Sequence, residues 1–414
     1  MARALLVIAF YIGAIVFVEA NDTVWTENEL RILRSLSLKS LSSVPPSPSN
    51  RYVNSINAQV LGKNLFYDKA LSVDGTLSCA SCHQPEKYFT DGLPRSQGVI
   101  SGKNDVSHSR NAPTVVGSAW LRWFYWDGRR DSLWSQALIP FEANNEMGSS
   151  RLSVVRYIAM DDDYKQAYEG LFGKLDPEFL SEKLPKHAGP LGNKKFQDNW
   201  YRLPKSLRKN INIAYSNIGK SIAAYQRTLV PKTTRFDRYV DFLDAKKDTG
   251  NIISKDEIAG IRLFIDTKKT QCLQCHNGPL LTNRGFHNVG TGNFTGTVLD
   301  FGRLFGLQAA LMDPFNCIGE YSDAKSTDCL QLRFLNKAHH IPLKGAFKVP
   351  SLRGVAYTAP YFHDGRFNSL EEVMAYYNNP PNNNGPHELK PLDLSDKQMQ
   401  QLVAFMKMLV KINK

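Results

Sequence analysis

The chain has 414 residues, of which 42% are hydrophobic and 11% aromatic, so it is long and apolar enough for two domains with real cores and is not a disordered chain. Its formal charge is +12 and its pI is near 9.3. The basic residues are scattered rather than grouped, which argues against a nucleic-acid partner. A basic surface that docks an acidic partner protein and a charge that merely keeps the chain soluble both fit this composition.

The first twenty residues have the form of an export signal. Residues 1–20 contain Arg3, an apolar run from Ala4 to Val18, and a small residue, Ala20, at the expected cleavage point. We therefore expect a periplasmic or otherwise exported protein. The alternative is an uncleaved anchor, although the run is short for a bilayer core of roughly 30 Å. A membrane is a partner only if the signal stays attached.

An internal repeat divides the rest of the chain. The stretches QVLGKNLFYDKALSVDGTLSCASCH (59–83) and IAGIRLFIDTKKTQCLQCH (258–276) both run a helical pattern through Gly-x-x-Leu-Phe into C-x-x-C-H. We place the boundary between the two halves in the polar stretch 240–255. The predicted ranges are a signal peptide, an extension ending in a Ser- and Pro-rich linker, an N-terminal domain and a C-terminal domain, with one C-x-x-C-H motif in each domain (1–20, 21–50, 51–245 and 246–414).

The remaining patterns are mostly helical. Residues 206–230 have apolar residues at helical spacing and stop at Pro231. Residues 370–377 follow a plausible N-cap, Ser369, and residues 396–412 are amphipathic. Alternating strand patterns are scarce. The predicted fold class is therefore mainly α, with two cytochrome c-like domains related by internal duplication and joined by long loops.

The two C-x-x-C-H motifs carry the chemistry. In such a motif two thiols add across the haem vinyl groups while the histidine coordinates iron. The motif pair therefore predicts two covalently bound haem c groups. A zinc site or redox-active C-x-x-C is the alternative, but each motif would then carry its histidine by accident. The predicted attachment residues are Cys79, Cys82, His83, Cys272, Cys275 and His276.

Two of the six cysteines, Cys317 and Cys329, lie outside these motifs. In an exported chain such a pair in one loop is predicted to form a disulfide rather than two free thiols.

The ligand opposite each motif histidine decides what each iron does. An iron capped on both sides transfers electrons, whereas an open face binds peroxide. Cleavage of bound peroxide needs a group that accepts one proton and returns it, commonly a carboxylate or histidine. The tryptophan-rich stretch 110–148 offers a carboxylate, since it sets Trp126, Gln136 and Glu146 at successive ten-residue steps. By composition alone, each aromatic residue there is more often part of the core.

The chain resembles the bacterial di-haem cytochrome c peroxidase and MauG family over nearly the whole mature chain. The segments that carry the resemblance are CASCH, RNAPT, WDGRRDSLWSQALIPFEANNEM, CLQCH, FHNVG and FKVPSLRGVAYTAPYFHDGRFNSLEEV. The resemblance implies that hydrogen peroxide reacts at the haem on His83. It assigns acid–base work to Glu146, a pocket-shaping role to Gln136 and Pro140, and electron relay between the haems to Trp126.

The resemblance also implies a calcium ion between the domains, held by the side chain of Asn111 and the backbone carbonyls of Thr358 and Pro360. Oxygen-only ligation suits calcium. His108 lies in the loop where ordinary family peroxidases keep a histidine that caps the first haem. Its spacing to Asn111 is shorter than in that class, so we expect an open or solvent-capped iron.

Members of the family differ in the cap of the second haem. In the ordinary peroxidases it is a methionine fourteen residues after the histidine of the PYFHDG-type motif, and in MauG-type members it is tyrosine. Here His363 plus fourteen is Tyr377. A phenolate stabilises ferric and ferryl iron and lowers the potential. Met374, on the same helical face, is the alternative ligand, and Tyr376 points about 100° away.

The residues, together with what the resemblance implies, leave three functions open. The first is a MauG-type enzyme, most similar to the methanobactin-associated type (MbnH), that uses hydrogen peroxide to form a high-valent, bis-Fe(IV)-like state and oxidises a tryptophan of a periplasmic partner protein by long-range electron transfer. The loop 313–329 and the stretch 385–398 favour this subgroup. The alternative is a cytochrome c peroxidase that takes electrons from a small cytochrome or cupredoxin. The third, a non-catalytic electron carrier, is disfavoured by Gln136 and Glu146.

Overall fold

The structure is a computed structural model that describes residues 25–99, 110–247, 249, 252–292, 299–325, 327–335, 343–381 and 387–410. The predicted signal peptide and His108 lie outside this range. The described chain is mainly helical, which confirms the predicted fold class. Its helices are α1 Glu27–Leu36, α2 Ile56–Tyr67, α3 Cys79–Cys82, α4 Leu133–Glu142, α5 Arg151–Met160, α6 Asp162–Phe172, α7 Lys194–Arg202, α8 Lys205–Gln226, α9 Arg235–Asp244, α10 Lys255–Ile265, α11 Cys272–Cys275, α12 Arg303–Met312, α13 Leu330–Arg333, α14 Leu370–Asn378 and α15 Asp396–Lys407.

Two short strands, β1 Phe286–His287 and β2 Phe347–Lys348, pair antiparallel, with Phe286 opposite Lys348 and His287 opposite Phe347. Within the described segments, no helix has both the length and the apolarity needed to cross a membrane.

The first hydrophobic core forms where α2 crosses α8, with α4, α5 and α6 packed around the pair. The two helices approach closely at Gly62, where an added Cβ would lie 1.9 Å from the carbonyl oxygen of Ser221. Any side chain there would separate the helices, because interiors are close-packed. The glycine of the repeated Gly-x-x-Leu-Phe pattern is therefore a helix-crossing residue.

The second core repeats this arrangement with α10 crossing α15. An added Cβ at Gly260 would lie 1.9 Å from the carbonyl oxygen of Gln401, the same distance as in the first core. Helices α1 and α9 also pack into this second core, although both precede the predicted boundary near residues 240–255. The domain ranges therefore stay a prediction.

Helix ends differ from the sequence predictions by a few residues. Helix α8 ends at Gln226, four residues before the predicted limit, because Arg227 caps it and donates to the carbonyl oxygen of Pro45. Helix α15 ends at Lys407 rather than at residue 412. The predicted N-cap of α14 is confirmed, since Ser369 accepts a hydrogen bond from the Glu372 amide.

A disulfide joins Cys317 to Cys329. Both cysteines are buried, and the Cys317 amide donates to the Asp131 carboxylate at 2.8 Å. Within the closed loop, Asp323 forms an ion pair with the buried Lys220 of α8 at 3.0 Å. The bridge therefore fixes a loop that lies against the first core.

We expect a Cys317→Ser/Cys329→Ser variant to lose about 3 kcal/mol of unfolding free energy, because the open loop gains conformational entropy in the unfolded chain. Urea denaturation of the haem-loaded protein measures this loss. Haem content and peroxide reactivity should stay unchanged, and an unaltered denaturation midpoint would contradict the predicted contribution of the bridge.

Candidate haem and peroxide site

The histidines of the two motifs are held in the same way. The Nδ1 atom of His83 lies 3.1 Å from the carbonyl oxygen of Phe89, and that of His276 lies 3.0 Å from the carbonyl oxygen of Leu281. A backbone carbonyl at Nδ1 fixes the ring and its tautomer, which leaves Nε2 to bind a metal. Both imidazoles are thus oriented as metal-ligating histidines usually are.

The cysteines of both motifs form no disulfide. Burial raises the pKa of Cys79 to about 12 and that of Cys82 to about 11. Each short helix, α3 and α11, therefore places two cysteine sulfur atoms beside an oriented imidazole. This donor set fits a covalently bound haem c at each motif, with His83 and His276 as the iron ligands.

Helix α4 places Gln136 and Pro140 one turn apart. Proline has no N–H, so the carbonyl of Gln136 loses its helical donor. The hydroxyl of Tyr125 donates to that carbonyl at 3.1 Å. The Gln136 carbonyl that Pro140 leaves without a helical donor thus gains one from outside the helix. The same hydrogen bond fixes the Tyr125 side chain against α4.

Glu146 follows α4 in a turn in which its amide donates to the carbonyl of Ala143 at 3.0 Å. Burial raises the pKa of the Glu146 carboxyl above its ordinary value, and the Arg129 guanidinium opposes this shift. Burial raises the pKa values of Cys79 and Cys82, and the charge of Glu146 adds a smaller contribution to both, so this carboxyl lies within electrostatic range of the first motif. A carboxyl group with a raised pKa suits the acceptance and return of a proton.

Trp126 lies between two neighbouring cavities and lines both. One cavity is lined by Thr90, which follows the carbonyl that binds His83, and the other by His276. The indole Nε1 donates to the carbonyl oxygen of Asn111 at 2.8 Å, and the Lys348 amide donates to the Trp126 carbonyl at 2.7 Å. The bond at Nε1 therefore fixes the indole ring, and the bond from Lys348 fixes the backbone of Trp126 beside the two cavities.

The residues predicted to hold calcium line the first of these cavities together: Asn111, Thr358 and Pro360. The side-chain amide of Asn111 donates to the Pro360 carbonyl at 2.5 Å. For calcium ligation the amide would present its oxygen instead, and the two ends of an amide are nearly indistinguishable in shape. Neutral oxygens that line one cavity are of the kind that would hold a calcium ion.

The second cavity contains His276 together with Tyr377 and Met374 of α14. The Tyr376 hydroxyl donates to the Val289 carbonyl at 2.8 Å, whereas no described protein group hydrogen-bonds to the hydroxyl of Tyr377. Burial raises the pKa of Tyr377 above its ordinary value, with smaller contributions from the sulfur atoms of Cys275 and Cys272. The Tyr377 phenol therefore faces the cavity beside the second motif, and Met374 lines the same cavity.

Two further histidines line this cavity. His287 lies 2.6 Å from the Glu388 carboxylate through Nδ1. His363 is buried and stacks on Phe347 with ring centroids 3.6 Å apart. Both rings shape the cavity around His276 rather than lying free on the surface.

Sequence reasoning did not single out Lys348 or Arg303. The Lys348 ammonium donates to the Trp123 carbonyl at 3.0 Å, lines both cavities with Trp126, and has its pKa lowered to about 8 by burial. The Arg303 guanidinium lies between the rings of Trp123 and Phe286, at 4.0 and 4.2 Å. The one sequence signal that could have identified Lys348 is its place in the FKVPSLRG segment. No motif or residue spacing in the sequence identifies Arg303.

Comparison with known proteins gives one consistent result. The family model for di-haem cytochrome c peroxidases matches residues 57–244. The methylamine utilization protein MauG of Methylorubrum extorquens is 30% identical over 84% of this chain and 77% of its own length. The cytochrome-c peroxidase IdrP1 of Pseudomonas sp. strain SCT is 30% identical over 89% of this chain and 85% of its own.

Among solved structures, a MauG-like protein associated with microbial copper homeostasis superimposes with a TM-score of 0.58 at 26% identity, over 90% of this chain and 95% of that one. The chain therefore belongs to the di-haem cytochrome c peroxidase and MauG family. It is a haem peroxidase-type oxidoreductase, and membership implies two haem groups, hydrogen peroxide as substrate and a redox partner protein.

Proposed function

We propose that this enzyme is of the MauG type and uses peroxide to oxidise a periplasmic partner protein, at a tryptophan, by long-range electron transfer. The observation that carries the proposal is the Tyr377 phenol, which faces the His276 cavity without a protein hydrogen-bond partner among the described residues. An anionic oxygen ligand at the second iron favours its oxidised states. The second site then stores oxidising equivalents rather than an electron.

In this proposal the two haems, when bound, supply peroxide reduction at the His83 site and redox storage at the His276 site. Glu146 accepts a proton from the attacking peroxide and returns it to the leaving oxygen, while Gln136 and Pro140 shape the pocket. Trp126, held by Asn111, couples the two sites. Calcium at Asn111, Thr358 and Pro360 would hold that coupling in place.

A second candidate is the peroxide-detoxifying cytochrome c peroxidase, which takes electrons from a small cytochrome or cupredoxin. It is favoured by Met374, a thioether that lines the same cavity and lies one helical turn before Tyr377. Thioether ligation raises the potential of the iron and makes the second site an electron store. The two candidates thus differ in which side chain of α14 binds iron.

We expect low-temperature EPR of the ferric protein to give one high-spin and one low-spin signal, and Tyr377→Phe to alter only the low-spin signal. Peroxide should react without prior reduction. Tyr377→Met should raise the reduction potential of the second site, because a neutral thioether replaces a phenolate.

Two variants serve as controls. Tyr376→Phe removes a hydroxyl bonded to Val289 and should leave both EPR signals unchanged. Met374→Leu should leave the low-spin signal unchanged as well. If Met374→Leu shifts that signal while Tyr377→Phe does not, the methionine is the ligand and the peroxidase is the correct function.

A further inference from the structure

A pair of tyrosines lies on the side of the first site where His83 is held. The ring of Phe66, fully buried, lies 6.3 Å from the His83 imidazole and 5.3 Å from the ring of Tyr225. The hydroxyl of Tyr225 lies 3.2 Å from that of Tyr67, and Tyr67 is 40% exposed. A chain of aromatic contacts therefore runs from the predicted iron ligand to solvent.

The internal repeat shows that the hydroxyls of this pair are not required by the helix crossing. Counting from the crossing glycines Gly62 and Gly260, the fourth residue is phenylalanine in both halves, Phe66 and Phe264. The fifth residue is Tyr67 in the first half but isoleucine in the second (Ile265).

On the partner helices the same difference appears. The residue four positions after the crossing point is Tyr225 in α8 and Phe405 in α15, counted from Ser221 and Gln401. Phe405 packs on the phenylalanine of α10 at 4.9 Å, close to the 5.3 Å of its counterpart in the first half. The two halves thus share the packing, and only the peroxide-reactive half has the two hydroxyls.

We propose that Tyr67, backed by Tyr225, is a self-oxidation site that drains oxidising equivalents from the His83 site when no partner protein is bound. This inference rests on the part of the proposed function in which peroxide is reduced at that site. Each oxidation breaks the phenolic O–H bond of Tyr67, sends the electron through Phe66 toward His83 and releases the proton to water. Reduction of one hydrogen peroxide to two waters takes two electrons and two protons. Tyr67 supplies one of these electrons in each molecule, so one oxidising equivalent per peroxide remains in the enzyme.

The product of the oxidation follows from exposure. Two Tyr67 radicals on separate molecules can meet, because 40% of the side chain is open to solvent. Their coupling forms one carbon–carbon bond between the rings, and each ring loses one ortho hydrogen as a proton. Tyr225, only 8% exposed, is too buried to couple between molecules and instead supports Tyr67 through its hydroxyl.

The test adds hydrogen peroxide to the haem-loaded full chain without partner protein or reductant. Rapid-freeze EPR detects a tyrosyl radical, and dityrosine fluorescence with peptide mass spectrometry locates the modified residue. We expect modification at Tyr67 in the natural protein, its loss in Tyr67→Phe, and a lower yield in Tyr225→Phe. Tyr201→Phe is the matched control, since Tyr201 is 63% exposed on α7 but has no part in this chain of contacts.

The haem absorbance change on peroxide addition is followed in every variant. If it is normal while modification falls on Tyr201, or on the exposed Tyr357 that lies 6.3 Å from Tyr88, the self-oxidation site is overturned and the proposed function stands. An unchanged product yield in Tyr67→Phe has the same meaning. If the haem absorbance does not respond to peroxide at all, the proposed function fails and this inference fails with it.

Discussion

Replacing Glu146 with glutamine is expected to slow the reaction with peroxide by roughly 100- to 10,000-fold, the usual contribution of a positioned acid–base group. Glutamine keeps the size and polarity of the side chain but cannot take up a proton. Both haems should remain attached, because the attachment cysteines and histidines are untouched. Stopped-flow absorbance after peroxide addition measures the rate, and a natural rate in the variant would remove Glu146 from the mechanism.

The pH dependence gives a second measure of the same residue. Burial raises the pKa of Glu146 above its ordinary 4.5, and the reaction needs the carboxylate form as base. The rate should therefore fall as the pH drops through this raised pKa, and the fall should begin at a higher pH than for an exposed glutamate. The Glu146→Gln variant should lack this limb of the profile.

Substitution of Arg129 tests the same titration from a second residue, because the positive charge of Arg129 lowers the pKa of Glu146. Arg129→Gln removes this charge and should move the acidic limb of the pH profile to higher pH. Arg129→Lys keeps the charge and should leave the limb close to its position in the natural protein. A limb that stays in place in both variants would assign the titration to another group.

The sequence is most informative where a short motif specifies particular residues. C-x-x-C-H predicts the attachment residues, whereas the repeated glycine indicated only a helical pattern, and the structure shows that it lies where α2 crosses α8. The distal residues are predicted only through family resemblance, because Gln136 and Glu146 lie in a stretch whose composition reads equally well as core. Tyr377 is likewise identified only by counting fourteen residues from His363, because helical periodicity does not distinguish this tyrosine from its neighbours.

Other features depend on contacts between distant parts of the chain. The Tyr125 hydroxyl replaces the hydrogen bond that Pro140 removes from α4, and neither residue indicates the other by sequence spacing. Helix α1 packs into the second core from the opposite end of the chain. The side chain of Lys348 lines both cavities and donates a hydrogen bond to the carbonyl oxygen of Trp123. Local secondary-structure propensity cannot predict such contacts, because tertiary packing determines which distant residues meet.

The indole of Trp126 is the other group on which the proposed mechanism depends. It lines both cavities, and its Nε1 is bonded to the backbone of Asn111, a residue that also fits the calcium site. In the proposed mechanism, an aromatic ring in this position shortens the distance over which electrons pass between the sites. Indole is also far easier to oxidise than a phenyl ring of similar shape.

Trp126→Phe should therefore leave the peroxide reaction at the His83 site near its natural rate and slow partner oxidation at least about tenfold, equivalent to roughly 1.4 kcal/mol in barrier height. Trp123→Phe is the matched control, because Trp123 packs on Arg303 and lines neither cavity. Parallel stopped-flow and partner-turnover assays separate the two steps. Equal partner turnover in both variants would exclude Trp126 as the relay, whereas loss in Trp126→Phe alone would place the electron path through this indole.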